Sequence, residues 1–299
     1  MTDTPPNIFD RSVYRAHRRR ALHANNESFL ADLAISALSE RAALISRRFT
    51  RALNLGSHGT FPKDLVRLAK NWTYAAPALS KGHNYACAVA DEEALPFADE
   101  SFDLIVSALS LHAVNDLPGA LLQIRRALKP DGLFMAAMFG GETLRELRIS
   151  FAGAETKLCG GVFPRVSPFA DLRDLGGLLQ RAGFALPVTD VERSTARYKD
   201  IGKLFSDLRA IGETNALSQR TRTPLTRRLL DAVAAGYAER FCVEDNRLPA
   251  TFEIIFLTGW APHESQPKPL RPGSAKMRLA DALGTEERPA GEKPPGRTR

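Results

Sequence analysis

The sequence predicts an α/β fold with a doubly wound, mainly parallel sheet. Residues 102–107, in the stretch "SFDLIVSALSLH", alternate little between apolar and polar positions, which is typical of a strand buried on both faces. A second apolar run, "GLFMAAMFG" at 132–140, follows a segment with helical spacing. Strand, helix and strand in this order indicate a right-handed crossover between parallel strands of an open sheet.

The helix between these two strands has clear boundary signals. Asp116 is placed to cap its first turn, which also contains Pro118, and Pro130 and Gly132 end it. The other elements follow from helical or strand patterns elsewhere in the chain. Helices are predicted at about 8–50, 61–70 with Pro62 near its start, 142–157, 169–182, 200–212 and 224–239, and strands at about 51–55, 72–76, 85–89 and 251–260.

The composition predicts a soluble globular protein of the bacterial cytoplasm. The 299 residues suffice for one large domain or two modest ones, and 44% hydrophobic with 25% charged residues is ordinary for this class. No apolar run approaches the roughly 20 residues that span a bilayer, so membrane contact is expected to be peripheral, at the inner face. Three widely spaced cysteines and scattered histidines predict no metal site. After Trp260 proline and charge dominate, which predicts a loose tail.

Part of the formal charge of +7 comes from an arginine cluster near the N-terminus. Such a cluster can meet an acidic partner or nucleic acid. No nucleic-acid-binding motif accompanies it, so we expect no nucleic-acid partner and predict a solvated helix face. The arginines near that face are Arg11, Arg15, Arg18 and Arg19.

Three segments at the carboxyl ends of predicted strands are candidate ligand sites, because ligands of open α/β sheets bind at that edge. The loop "NLGSHGT", 54–60, places two glycines where backbone can approach a ligand, although taken alone it is better explained as an ordinary strand-to-helix turn. In "ADEEALPF", 90–97, Asp91 is suited to accept hydrogen bonds from an exocyclic amine or to cap a turn. His112 follows the central strand, but a lone histidine is more often structural than a general base.

In order and spacing, these segments and "ALKPDGLF" resemble class I S-adenosylmethionine-dependent methyltransferases over about 50–140. Four further stretches resemble one family within this superfamily. They are "NIFDR", "MFGGETLRELR", "SPFADLRDLGGLLQRAGF" and "LPATFEIIFLTGWAPHESQPKPLRPGSA". Over roughly 8–278 the chain is similar to the mitochondrial complex I assembly factor of methyltransferase fold and its alphaproteobacterial relatives. This implies a seven-stranded, Rossmann-like methyltransferase sheet with N-terminal helices and a helical insertion before the last strand. The implied division is 1–50 helical, 51–262 methyltransferase-like with the insertion at about 192–245, and 263–299 a disordered tail.

The resemblance also implies S-adenosylmethionine as cofactor, with binding that is weakened or lost. The family loop reads D-L-G-C-G-R-G, whereas here Asn54 replaces the acid and His58 replaces a glycine. The stretch "NWTYAAPALS", 71–80, lacks the acid expected to hold the ribose. Each lost charge-assisted hydrogen bond costs about 1.5–3 kcal/mol. The implied cofactor-binding residues are Asn54, Gly56, Ser57, Gly59, Asp91, Glu92, Ser107 and Leu109, and no catalytic residue is assigned.

Three functions stay open at this point. The fold and motif order favour an S-adenosylmethionine-dependent methyltransferase-superfamily protein, a transferase that acts on a protein partner. The eukaryotic member of the family implies instead hydroxylation of an arginine in a complex I subunit. Lost cofactor binding would leave a non-catalytic scaffold. The implied partner is a subunit of the respiratory NADH dehydrogenase, and the segment 249–275 is a candidate for recognising it, unless that segment only seals the sheet.

Overall fold

The computed structural model describes most of the chain in two compact units, Met1–His263 and Glu264–Arg299. All helices and strands discussed below belong to the first unit. Most of the predicted loose tail lies outside the described residues, and so do His58, Gly59 and Thr60 of the glycine loop. The described residues are 7–24, 28–57, 61–78, 86–242, 246–267, 277, 281 and 283–285.

The strands of the described residues form one seven-stranded sheet. They are β1 (Phe49–Leu55), β2 (Ala69–Ala76), β3 (Ala86–Val89), β4 (Phe102–Ala108), β5 (Leu128–Phe139), β6 (Ala185–Tyr198) and β7 (Leu248–Trp260). Their order in the sheet is β3-β2-β1-β4-β5-β7-β6. The first five strands run parallel, and β7 lies antiparallel between β5 and β6. The predicted doubly wound, mainly parallel sheet is confirmed.

Helices cover both faces of this sheet. They are α1 (Arg11–Ala24), α2 (Phe29–Ala43), α3 (Lys63–Val66), α4 (Leu117–Ala127), α5 (Arg145–Cys159), α6 (Leu172–Arg181), α7 (Ile201–Ala210) and α8 (Arg227–Phe241), with a 3-10 turn at Leu111–Ala113. One core packs α2, α3, α5, α7 and α8 against the sheet, and the other packs α4 and α6. Leu104 and Val106 of β4 belong to the first core, whereas Ile105 belongs to the second. This burial on both faces explains why β4 shows little alternation.

The predicted cap of α4 is present. The carboxylate of Asp116 accepts a hydrogen bond of 2.8 Å from the backbone N–H of Gly119. We expect Asp116→Ala to lower the free energy of unfolding by about 1 kcal/mol, because that N–H loses its partner. Urea denaturation monitored by circular dichroism measures the loss. Asp99→Ala is the control, since Asp99 makes only an exposed ion pair with Arg126; equal losses in both variants would contradict the cap.

The predicted helical insertion at about 192–245 is wrong at its start. Residues up to Tyr198 form the edge strand β6, and the helices begin only at Ile201. Along β6 the residues alternate between exposed and partly exposed, so no apolar run marks the strand in the sequence. Polar and charged residues on an edge strand also limit pairing with other chains, which explains this composition.

The N-terminal helical prediction needs a smaller correction. The predicted helix at 8–50 consists of α1 and α2, which are separated by residues that include 25–27, outside the described set. The strand β1 already begins at Phe49. The helical pattern therefore predicted the helical type correctly, but it predicted neither the separation of α1 from α2 nor the end of α2 before β1.

Candidate functional site

The carboxyl edge of β1 and β4 brings several of the predicted cofactor residues together. Gly56 follows β1 with a φ of 68°, a left-handed conformation that favours glycine, and its N–H donates to the carbonyl of Ala75 at 2.7 Å. The hydroxyl of Ser57 accepts a hydrogen bond of 2.8 Å from the N–H of Ala108. The loop after β1 is therefore bonded directly to the last residue of β4.

The turn after β4 directs its side chains over Gly56. Leu109 has a φ of 52°, which is strained for a leucine, and its N–H bonds to the carbonyl of Ala137 at 2.8 Å. The hydroxyl of Ser110 then donates to the carboxylate of Glu92. A Cβ placed on Gly56 would collide with Ser110 and lie 2.5 Å from Oε1 of Glu92. The space above Gly56 is thus filled by protein side chains.

The two predicted cofactor acids bind arginines of α1. Nη2 of Arg11 lies 2.6 Å from Oδ1 of Asp91 and 2.5 Å from Oε2 of Glu92. Nη2 of Arg15 lies 2.5 Å from the other carboxylate oxygen of Asp91. Burial opposes ionisation of Asp91, but the N–H of Glu93 and the guanidinium of Arg11 outweigh it and lower the pKa of Asp91 below its ordinary value.

The prediction of a solvated arginine face is wrong for Arg11 and Arg18. Arg18 is only 4% exposed, and its guanidinium donates to the carbonyl of Ile211 at 2.9 Å and to the carbonyl of Gly56 at 2.5 Å. These side chains are buried because carboxylates and carbonyls at the sheet edge satisfy their donors. The acidic run at 91–93 was the signal for such a partner, but only the fold shows that it faces α1.

Several buried polar atoms at this edge have no hydrogen-bond partner among the described residues. They include the side-chain oxygens of Tyr14 in α1, Asn54 in β1 and Ser107 in β4. Of the predicted cofactor residues, Asn54, Gly56, Ser57, Glu92, Ser107 and Leu109 therefore cluster here with Asp91 at the rim. Gly59 lies outside the described residues.

As arranged, the described acids of this edge are paired with arginines instead of being open to a cofactor. In S-adenosylmethionine the ammonium and the sulfonium call for carboxylates, and the carboxylate calls for a cation. Here β2 ends in Ala75 and Ala76, Asn54 is neutral, and Asp91 and Glu92 are bound to Arg11. Arg18 adds a second buried cation beside Gly56.

A separate cavity of about 220 Å³ is lined by the end of β5, by α5 and α7, and by residues from 165–169 and 213–215. The buried ring of His112 packs against the rings of Phe139 and Phe169, with centroids 5.0 and 5.7 Å away. Nε2 of His112 lies 3.1 Å from Oε1 of Glu213, whose carboxylate lines the cavity. The walls are apolar, and they include Phe139, Leu144, Leu147, Phe151, Phe169 and Phe205.

A buried ion pair fixes one wall of this cavity. Nε of Arg165 donates to Oε1 of Glu155 at 2.7 Å, and Oε2 of Glu155 accepts from the N–H of Phe163 at 2.9 Å. The side chain of Glu155 is 0% exposed. Sequence reasoning identified neither Glu155 nor Glu213, because each is an isolated acid whose contacts the sequence pattern does not show.

The described residues hold no group of three or more histidines, cysteines or acids that could bind a metal ion. Among the same residues, no helix is long and apolar enough to cross a membrane.

Within the described residues, most of the segment proposed for partner recognition is internal. Residues 249–260 belong to β7, which lies between two other strands. Trp260 is only partly exposed, and the guanidinium of Arg47 lies 6.0 Å from its ring centroid. Within the described set, this leaves 261–267 as the part beyond the sheet, and 268–275 lie outside that set.

Comparison with known proteins identifies the family. A family model described as "Methyltransferase domain" matches residues 63–136. The chain is 39% identical over 287 residues to the arginine-hydroxylase NDUFAF5, mitochondrial, of Danio rerio, covering 92% of this chain and 89% of that protein. The chain belongs to the NDUFAF5 family. The human NDUFAF5 protein is also 39% identical, and 83% of its length is covered.

Other matches share the methyltransferase fold or part of the chain. A malonyl-[acyl-carrier protein] O-methyltransferase of Xylella fastidiosa (strain M23) is 42% identical over 172 residues, which cover 58% of this chain and 56% of that enzyme. A Bacillus halodurans C-125 protein named as a candidate methyltransferase superposes with a TM-score of 0.50 at 16% identity, over 77% of this chain and 99% of its own. The NDUFAF5 family member described here therefore has the methyltransferase fold that its sequence predicted.

Proposed function

We propose that this protein acts on an arginine side chain of a protein partner, a subunit of the respiratory NADH dehydrogenase. The observation that carries the proposal is the cavity beside the His112–Glu213 pair. An arginine has an apolar stem and a planar cationic head, and a carboxylate can accept that head through two parallel hydrogen bonds. The apolar walls suit the stem, and Glu213 suits the head.

Among the described residues that line the cavity, Glu213 is the acid that a cation would meet. Glu213 contacts the buried imidazole of His112 at 3.1 Å, which fixes the position of the carboxylate. Arg209 lines the cavity from an exposed position, where solvent screens its charge.

For the reaction, we propose hydroxylation of the arginine, because relatives at 39% identity are named arginine-hydroxylases. Methyl transfer is the second candidate, supported by the fold and by the retained Asp91. The neutral Asn54 and the missing acid after β2 favour the first candidate over the second. A protein that has lost both reactions would act as a scaffold that only binds the arginine. We propose the bacterial cytoplasm, at the inner face of the membrane, as the place where it meets its partner.

The substrate proposal predicts a modified arginine whose formation needs Glu213. In cells that lack this protein, mass spectrometry of the NADH dehydrogenase subunits is expected to show that one arginine lacks the group that this protein adds. That added group is called the addition below. Wild-type protein should restore the addition, and Glu213→Gln should not, because an amide attracts a guanidinium far less than a carboxylate does. A gain of one oxygen atom identifies hydroxylation, and a gain of one methylene identifies methyl transfer.

Glu142→Gln is the matched control, because Glu142 is a partly exposed acid outside this cavity. It should restore the addition as wild type does. Restoration by Glu213→Gln to the wild-type level would place the acceptor site elsewhere. If the protein is a scaffold that catalyses neither reaction, wild-type protein should capture an arginine peptide but not the same peptide with citrulline, and no addition should form.

A further inference from the structure

We infer that α1 occupies the cofactor edge of this protein, so that S-adenosylmethionine or its product binds only when α1 moves away. The inference concerns the edge of β1 and β4 and stands independently of which acceptor the cavity takes. Ligands of open α/β sheets bind at this edge. In this chain, the groups expected to meet a cofactor there meet arginines of α1 or one another instead.

The contacts at this edge are buried and satisfied. Arg11 spans Asp91 and Glu92 with distances of 2.6 and 2.5 Å, and its side chain is only 9% exposed. Arg18 donates to the carbonyl of Gly56, the backbone group at the first glycine of the loop. Ser110 and Glu92 fill the space above that glycine. A cofactor in this place would have to displace several buried hydrogen bonds.

Hydrogen bonding distinguishes this arrangement from a lid that closes over a bound cofactor. A lid would leave the acids at the edge free to bind the ligand. Here Arg11 of α1 binds both Asp91 and Glu92, the acids expected to accept hydrogen bonds from a cofactor. α1 therefore competes with the cofactor for the same acids.

A graded series of arginine variants tests the inference by isothermal titration with S-adenosylhomocysteine. Arg11→Gln and Arg18→Gln should each tighten binding at least about tenfold relative to wild type, because each frees groups at the cofactor edge. Arg15→Gln should give a smaller gain, since Arg15 is half exposed and contacts only Asp91. Arg19→Gln, at an exposed position of the same helix, is the control and should leave binding unchanged. Thermal melts confirm which variants are folded.

Hydrogen exchange of the wild-type protein gives a second readout that needs no substitution. Excess S-adenosylhomocysteine should speed exchange of the amides in α1 if ligand and helix compete, whereas a lid would become more protected. Slower exchange in α1 would overturn the inference. Folded Arg11→Gln and Arg18→Gln variants that bind no more tightly than wild type would also overturn it, since the altered loop alone would then explain weak binding.

Discussion

Replacing Glu155 by glutamine is expected to lower the free energy of unfolding by about 3 kcal/mol, because breaking a buried ion pair leaves the charge of its partner uncompensated. Glu155 is fully buried and receives hydrogen bonds from Arg165 and from the N–H of Phe163. Glutamine keeps the shape and one acceptor oxygen, so little of the loss comes from packing. Urea denaturation followed by circular dichroism measures it.

Asp99→Asn is the control for this substitution. Asp99 and Arg126 also form an ion pair, at 2.8 Å, but both side chains are mostly exposed, and such pairs contribute at most about 1 kcal/mol. If the two substitutions cost the same, the Glu155–Arg165 pair does not anchor the wall of the cavity. Partial rescue of Glu155→Gln by Arg165→Met would support the stated cause, because the second change removes the uncompensated charge.

The sheet was predictable from sequence because its central strands are buried on both faces. The apolar runs of β4 and β5 locate them directly, and the cap at Asp116 marks the helix between them. The edge strand β6 was missed because half of its surface faces solvent and its residues are mostly polar. Patterns of hydrophobicity report burial, so they identify the middle of a sheet better than its edges.

The candidate site was predictable only in part. Position along the chain placed Gly56, Glu92 and Ser107 at the sheet edge, because parallel strands end on the same side. Nothing in that reasoning indicates what the side chains contact. Arg18 is buried because its guanidinium bonds to the carbonyls of Gly56 and Ile211, which lie 38 and 193 residues further along the chain. Periodicity within α1 carries no information about such partners.

The ion pairs of α1 should give this protein an acid-sensitive contribution to stability. At about pH 7 we expect Asp91→Asn to lower the free energy of unfolding by about 2 kcal/mol, because hydrogen bonds to charged groups contribute about 1.5–3 kcal/mol. Asp91 receives Arg11 at 2.6 Å and Arg15 at 2.5 Å. Its pKa is lowered in the folded protein, so its contribution is complete above the unfolded value of 3.8 and is lost as the pH falls through the folded pKa.

Urea denaturation of wild type and Asp91→Asn at several pH values tests this sign. The difference between the two proteins should stay constant from about pH 7 to about pH 5 and shrink below about pH 4, as the carboxyl group of the wild type becomes protonated. Asp190→Asn is the control, because Asp190 pairs with Arg41 at 2.5 Å but its side chain is 55% exposed, so its removal should cost less than about 1 kcal/mol. A difference that already closes between about pH 7 and about pH 5 would mean that a histidine, rather than Asp91, controls the attachment of α1.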